Sequence, residues 1–211
     1  MGDCKEIGST IKQRAVIIEI LIHPMNLRTF TASRFDRGAP RWKEALWVVT
    51  RCLFFQTPVP FPSLWKCLLL RVFGGKIGSN VVIRASVFIS FPWRLVIRDD
   101  VWIGDGVWIL SLAPVIIDSN VCISQKTFLC TGSHDYRKES FELITRPIHI
   151  KDRSWIAAGS FVGPGVQIGP NSVVAAGSVV VKSVGYGELV GGNPAQFIKR
   201  VVSDSKILET N

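Results

Sequence analysis

An aliphatic residue returns every six positions along most of the stretch from Ile77 to Val180, a period that neither a helix nor an ordinary sheet has. The marks are Ile77, Ile83, Ile89, then Ile97, Ile103, Ile109, then Ile117, Ile123, Leu129, and finally Ile150, Ile156, Val162, Ile168, Val174 and Val180. Four residues after most of them stands Val, Ser, Ala or Thr, as in Ile77-Gly78-Ser79-Asn80-Val81. A hexad with one large and one small inward residue builds one flat side of a three-sided solenoid. The expected fold is an all-β solenoid of about five coils over residues 76–185, with an extension carrying short helices over 1–75 and a short C-terminal segment over 186–211.

Interruptions of the period say where the surface departs from the scaffold. Three hexads make a coil of 18 residues, yet Ile77, Ile97 and Ile117 are 20 apart, so two residues are inserted in each of the first two coils. The insertions fall near Phe91-Pro92-Trp93 and Ser111-Leu112-Ala113-Pro114, in one column of the stack. In the third coil that column reads Thr131-Gly132-Ser133-His134, and the gap from Leu129 to Ile150 is 21 residues where six would do. Coils stacked as parallel strands place such columns roughly 4.8 Å apart, so Ser111 and Thr131 are expected as neighbours. The polar excursion over 131–149 cannot join the core, and long excursions of this kind usually carry function.

At 211 residues the solenoid and its flanks use nearly the whole chain, which leaves no room for a second domain. Five cysteines, Cys4, Cys52, Cys67, Cys122 and Cys130, are odd in number and form no Cys-x-x-Cys, which points to reduced thiols in a cytosolic setting and away from a disulfide framework. The apolar run from Ala15 to Ile22 is broken by Glu19 and has no cleavage site after it, and Glu6 stands where a myristoylation motif needs Ser or Thr, so neither a secretion signal nor a lipid anchor is expected.

The segment Arg41 to Phe73 reads as two short amphipathic helices joined through Pro58, Pro60 and Pro62, with Ser63 as N-cap and Gly74-Gly75 as the stop. Neither approaches the roughly 18 apolar residues of a membrane span. A solenoid's first coil needs a cover, and a cap is the primary reading of these helices. Peripheral contact with the inner membrane face is the alternative, because Trp42, Trp47 and Trp65 share them with basic residues, and residues 1–75 hold 11 Lys or Arg against 5 Asp or Glu. A net charge of +9 also raises nucleic acid, but the chain has no recognition-helix pattern, stacking sheet or basic tract, which leaves small phosphorylated molecules as the anionic partners.

Three histidines exist, and His134 alone stands at the base of the long excursion, His23 and His149 lying elsewhere. An accessible imidazole, oriented by a carboxylate of Asp135, Glu139 or Glu142 or by a backbone carbonyl, suits a general base that removes a proton from a hydroxyl as it attacks an acyl carbon. Ser111, Thr131, Gly132 and Ser133 add hydroxyls and backbone N–H groups of the type that holds an oxyanion. Trp93 with Phe91 and Trp108 offers a platform for a sugar ring or, equally, corner packing. Ser111, Trp93 and Asp135 are the candidate acceptor contacts. Cys130 offers a rival acyl-cysteine chemistry, although its place beside an inward Leu reads as a strand residue. Three histidines with one well placed do not make the several-ligand zinc site of a hydratase, so no metal is expected.

The stretches Val101-Trp102-Ile103-Gly104-Asp105-Gly106, Val121-Cys122-Ile123-Ser124-Gln125-Lys126 running on to Thr131-Gly132-Ser133-His134, Trp155-Ile156-Ala157-Ala158-Gly159-Ser160, and Gly191-Gly192-Asn193-Pro194-Ala195 resemble the hexapeptide-repeat acyltransferases, and among them the exopolysaccharide acetyltransferases of the colanic-acid type, relatives of the maltose and galactoside O-acetyltransferases. The resemblance runs from about Arg41 to Val201. It implies a left-handed parallel β-helix, a homotrimer with active sites between subunits, acetyl-CoA as donor, and a sugar hydroxyl in an exopolysaccharide or its lipid-linked precursor as acceptor. His134 matches the family's catalytic base. Ala158 and Ala176 match small residues lining the pantetheine channel, Val181 and Lys182 flank the same channel, and Lys199 and Arg200 match basic residues that meet the nucleotide phosphates.

Departures from the family pattern bear on the acceptor. Relatives place Asn or Asp-Asn where this chain has Leu110-Ser111, and a Gly where it has Lys126. The first departure keeps open a catalytically inactive glycan-binding scaffold, and an N-acetyltransferase acting on an amino sugar is the other alternative.

Overall fold

The computed structural model describes residues 27–28, 30, 35–59 and 61–201; His23, Cys4 and the residues weighed for a signal or lipid anchor lie outside them. The chain winds into a solenoid with three flat faces. The first face stacks Lys76–Ile77, Leu95–Ile97, Val115–Ile117, Ile148–Ile150 and Gln167–Ile168. The second stacks Val82–Ile83, Trp102–Ile103, Cys122–Ile123, Trp155–Ile156, Val173–Val174 and Glu188–Gly192. Phe88–Ile89, Trp108–Leu110, Phe128–Cys130, Phe161–Val162 and Val179–Val180 make the third. Within these stacks every strand pair is parallel; the sole antiparallel addition to the second face is Ala195–Arg200, which folds back on Glu188–Gly192.

The hexad marks form the core. From Ile83 to Val180 each mark is exposed by 1 % or less, while Ile77, on the first coil, is half-buried. Inward hydroxyls on the late coils tie successive turns together, as where Ser154 Oγ donates to Gly169 O at 2.8 Å and Ser172 Oγ to Gly185 O at 2.6 Å. A partial sixth coil follows the five expected ones. Ile168 bridges Val184 and Val174 pairs with Val190, a step of 16 residues, so the corner that gains two residues in the early coils loses two here.

Helix α1 (Arg41–Phe54) and helix α2 (Ser63–Val72) bury one stripe each against the first coil. In this solenoid the strand N–H groups of one coil donate to carbonyls of the next, as Val82 N does to Val101 O, so first-coil carbonyls have no preceding coil to pair with. Side chains of the helices supply the donors. Trp47 Nε1 reaches Ile89 O at 3.0 Å, Lys66 Nζ reaches Ile83 O at 3.3 Å and Arg84 O at 2.6 Å, and Arg71 reaches Ile77 O and Gly78 O at 3.0 and 2.6 Å. Ser63 is not the N-cap. It is the first helical residue, Pro62 precedes it, and its hydroxyl is taken by the backbone N–H of Ile83 at 3.0 Å. Gly74, at φ +96°, ends α2 with its N–H on Arg71 O.

Two of the three corners are regular. Between the first and second faces, Asn80, Asp100, Asn120, Arg153 and Asn171 all take left-handed φ, and between the second and third Ser86, Gly106, Lys126, Gly159 and Gly177 do the same. The third corner carries the insertions, including a two-stranded sheet of Gly132–His134 with Leu143–Thr145. Residues 134–144 belong to a compact unit distinct from the solenoid with its helices.

Candidate active site

His134 is the last residue of the outgoing strand of the excursion. Its half-buried imidazole lies flat on Phe141, ring centroids 4.3 Å apart, and meets Phe30 edge-on at 5.5 Å. Nδ1 stands 2.8 Å from the carbonyl oxygen of Phe141. A carbonyl can only accept, so in the neutral ring Nδ1 carries the proton and Nε2 keeps the lone pair. Phe141 itself has φ +46°, a left-handed conformation that is costly for an aromatic residue and that turns its carbonyl back to the ring.

The carboxylates next to His134 in sequence are not shown as its orienting group. Asp135 accepts from the Arg137 guanidinium at 3.1 Å and from Arg137 N–H at 3.2 Å, and the Arg137 side-chain bond holds its carboxyl below the usual range. Glu142 takes Lys138 Nζ at 2.7 Å. Asp135, expected as an acceptor contact, is thereby engaged in shaping the loop tip.

At the third corner two expected contacts turn inward. Ser111 is fully buried; its Oγ accepts from Phe91 N–H at 2.9 Å and donates to Phe91 C=O at 3.0 Å. Fully buried and bonded to both backbone groups of Phe91, Ser111 is a staple between two coils and presents no hydroxyl at the surface. Thr131, equally buried, does the same one coil later, accepting from Ala113 N–H at 2.9 Å and donating to Leu110 O at 2.6 Å. Trp93 follows the corner-packing reading: it lies in a 3-10 turn, Pro92–Arg94, donates Nε1–H to Arg37 O at 2.7 Å and carries the Lys43 ammonium over its ring at 5.4 Å. Cys130 is buried, its thiol donates to Gly132 O at 3.1 Å, and desolvation pushes its pKa up, all of which favour the unreactive thiol over a nucleophile.

The second corner gathers other candidates. Its turns are joined by bonds from Gly106 N to Ala85 O, Lys126 N to Asp105 O, Gly159 N to Gln125 O and Gly177 N to Ala158 O, so Asp105, Gln125 and Ala158 share one edge, and Ala176 continues it on the next coil. Open space adjoins this edge at Gly159 and Gly177, where an added methyl would meet nothing within 4 Å. Val181 and Lys182 are exposed but stand after the third face, at the third corner, so one chain does not bring them to the edge of Ala158 and Ala176. Lys199 and Arg200 are exposed on the last strand; Arg200 Nη1 donates to Tyr186 O at 3.2 Å.

Sequence reasoning missed a groove on the early part of the same edge. Arg84, Trp102, Asp105, Cys122, Ser124 and Gln125 line an open space of about 530 Å³ beside Gly104. The indole face of Trp102 is half-exposed, and Arg84 pairs with Asp105 at 3.3 Å at the rim. An outward Trp in a hexad, a position that usually faces water, was the available signal, and Trp155 repeats it on the next coil but one. Among the described residues no group of three His, Cys, Asp or Glu is placed to hold a metal ion.

A family model described as bacterial transferase hexapeptide (six repeats) matches residues 147–182. Over 177 residues the chain is 41 % identical to WcaF of Escherichia coli, which bears the provisional name of a colanic acid biosynthesis acetyltransferase; the match covers 84 % of this chain and 97 % of that one. It is 29 % identical to the galactoside O-acetyltransferase of Lactococcus lactis, over 81 % and 84 % of the two chains. The solved structure of the hexapeptide-repeat acetyltransferase VCA0836 from Vibrio cholerae, complexed with acetyl coenzyme A, matches with a TM-score of 0.71 at 27 % identity, covering 83 % of this chain and 97 % of that one.

Proposed function

The chain belongs to the hexapeptide-repeat acyltransferases and has their left-handed parallel β-helix, and on that premise we propose that it moves an acetyl group from acetyl-CoA to a sugar hydroxyl of an exopolysaccharide or of its lipid-linked precursor. The observation that carries the chemistry is the bond between His134 Nδ1 and Phe141 O, which leaves Nε2 as a base. In the reaction Nε2 takes the proton of the acceptor hydroxyl while its oxygen bonds to the thioester carbon. The carbonyl oxygen becomes an oxyanion, held by backbone N–H groups. Collapse breaks the C–S bond, and the imidazolium returns its proton to the departing CoA thiolate.

Ala158 and Ala176 keep the second corner narrow-sided and open, which suits a thin pantetheine arm, and Lys182, Lys199 and Arg200 supply cations for the nucleotide phosphates. Since Val181 and Lys182 occupy a different corner, a channel using both edges takes one from each of two copies, in keeping with the homotrimer that the family implies. The groove with Trp102 offers what a sugar binds: a flat apolar face ringed by Arg84, Asp105 and Gln125.

The test is CoA-thiol release across a panel of sugars and amino sugars, with wild type and His134→Ala. Turnover on sugars without an amino group, and a loss of about 10²- to 10⁴-fold in the variant at unchanged thermal unfolding, are expected. Turnover confined to amino sugars, no release with any acceptor, or a variant as active as wild type each rejects the reading.

A further inference from the structure

Helices α1 and α2 are apolar on two sides, and folding uses only one. On α1 the core takes Trp47 and Thr50, while Trp42, Leu46, Val49 and Leu53 recur at steps of four, three and four on a stripe that stays in solvent, Trp42 being 69 % exposed. On α2 the core takes Lys66, Cys67 and Leu70, and Leu64, Trp65, Leu68 and Val72 form the second exposed stripe, with Leu64 at 74 %. Both helices cover the same end of the solenoid, donating to first-coil carbonyls with their buried sides. A cap needs no apolar outer face.

The charges around these stripes are of one sign. The exposed residues of the two helices include Arg41 and Arg71 and no carboxylate, and the single acid in either helix, Glu44, is paired with Arg37. Apart from Arg41, from Arg71, which bonds Ile77 O and Gly78 O, from the weak thiol of Cys52 and from the indole N–H groups of Trp42 and Trp65, the exposed residues of the two helices are apolar, whereas a protein partner's rim is expected to exchange more hydrogen bonds. No helix among the described residues is long and apolar enough to cross a membrane. A short helix with an apolar face, tryptophans at the boundary and basic flanks lies in the plane of an anionic bilayer surface.

From this we infer that the outer faces of α1 and α2 dock the enzyme on an anionic lipid surface, with Trp42 and Trp65 seated among the headgroups and Arg41 beside lipid phosphates. It extends the reading of a lipid-linked acceptor by naming the surface that would bring the enzyme to one, and it does not depend on the base at His134.

The full chain is sedimented with vesicles of mixed phosphatidylglycerol and phosphatidylcholine and with vesicles of phosphatidylcholine alone. Binding to the first, weakened by salt, at least tenfold loss in the double variant Trp42→Ser/Trp65→Ser, and unchanged binding by His134→Ala support the inference. Equal sedimentation of wild type and double variant overturns it. So does a double variant that changes the oligomeric state in light scattering while wild type shows no vesicle binding, because a second copy of the chain would then be what covers these faces. Loss of activity in His134→Ala leaves this assay untouched, so failure of the catalytic reading and failure of the docking surface are read separately.

Discussion

The second and third corners of one solenoid solve the same problem in opposite ways. At the second, each turn repeats a left-handed residue and a single backbone bond to the coil before, from Gly106 to Gly177. The third has no repeated turn; buried hydroxyls of Ser111 and Thr131 add side-chain bonds to its irregular backbone pairs, and the excursion with His134 leaves from there. A corner closed by backbone repetition tolerates few changes of shape, whereas one closed by side chains can change length from coil to coil without breaking the stack. In the proposed reading the base, His134, is carried on the excursion from the variable corner, and the repetitive corner offers a straight edge to a long donor.

Substitutions can break this contrast in graded steps. Gly104→Ala is the most severe, because its methyl would lie 2.6 Å from the backbone nitrogen of Gln125 in the next coil; a loss of about 3 kcal/mol in denaturant unfolding is expected. Ser111→Ala removes both buried bonds that the hydroxyl makes to the Phe91 backbone and should cost about 2 kcal/mol, while turnover per folded molecule stays near wild type. Activity lost at unchanged stability would instead return Ser111 to the acceptor site. The smallest effect has the opposite sign: Lys126→Gly relieves a side chain held at φ +57° where the turns above and below have glycine, and should raise stability by about 0.5–1 kcal/mol, read as a small upward shift of the unfolding midpoint.

The core was legible because burial in a hexad follows residue size, and the marks from Ile83 to Val180 are all interior. The sixth coil was not, since a four-residue step from Val180 to Val184 erases the six-residue beat. His134 could be singled out by isolation and loop length. Its orienting group could be narrowed only to a loop carboxylate or a backbone carbonyl, because a carbonyl has no sequence signature, and Phe141 reaches the ring by a backbone conformation that aromatic residues rarely adopt. The inward turn of Ser111 and the choice between the two readings of Trp93 were hidden for one reason. An inserted residue reverses which side chains point outward, and the sequence pattern does not say where within the bulge the reversal falls.

The partner of His134 is an amide oxygen with no net charge. A carboxylate in that place would stabilise the imidazolium as an ion pair and slow its return to the neutral ring. Phe141 O fixes the orientation and the tautomer of the ring without an ion pair. In the proposed mechanism one ring, held by that one bond, serves both halves of the transfer, taking the proton of the acceptor hydroxyl and giving it to the departing sulfur.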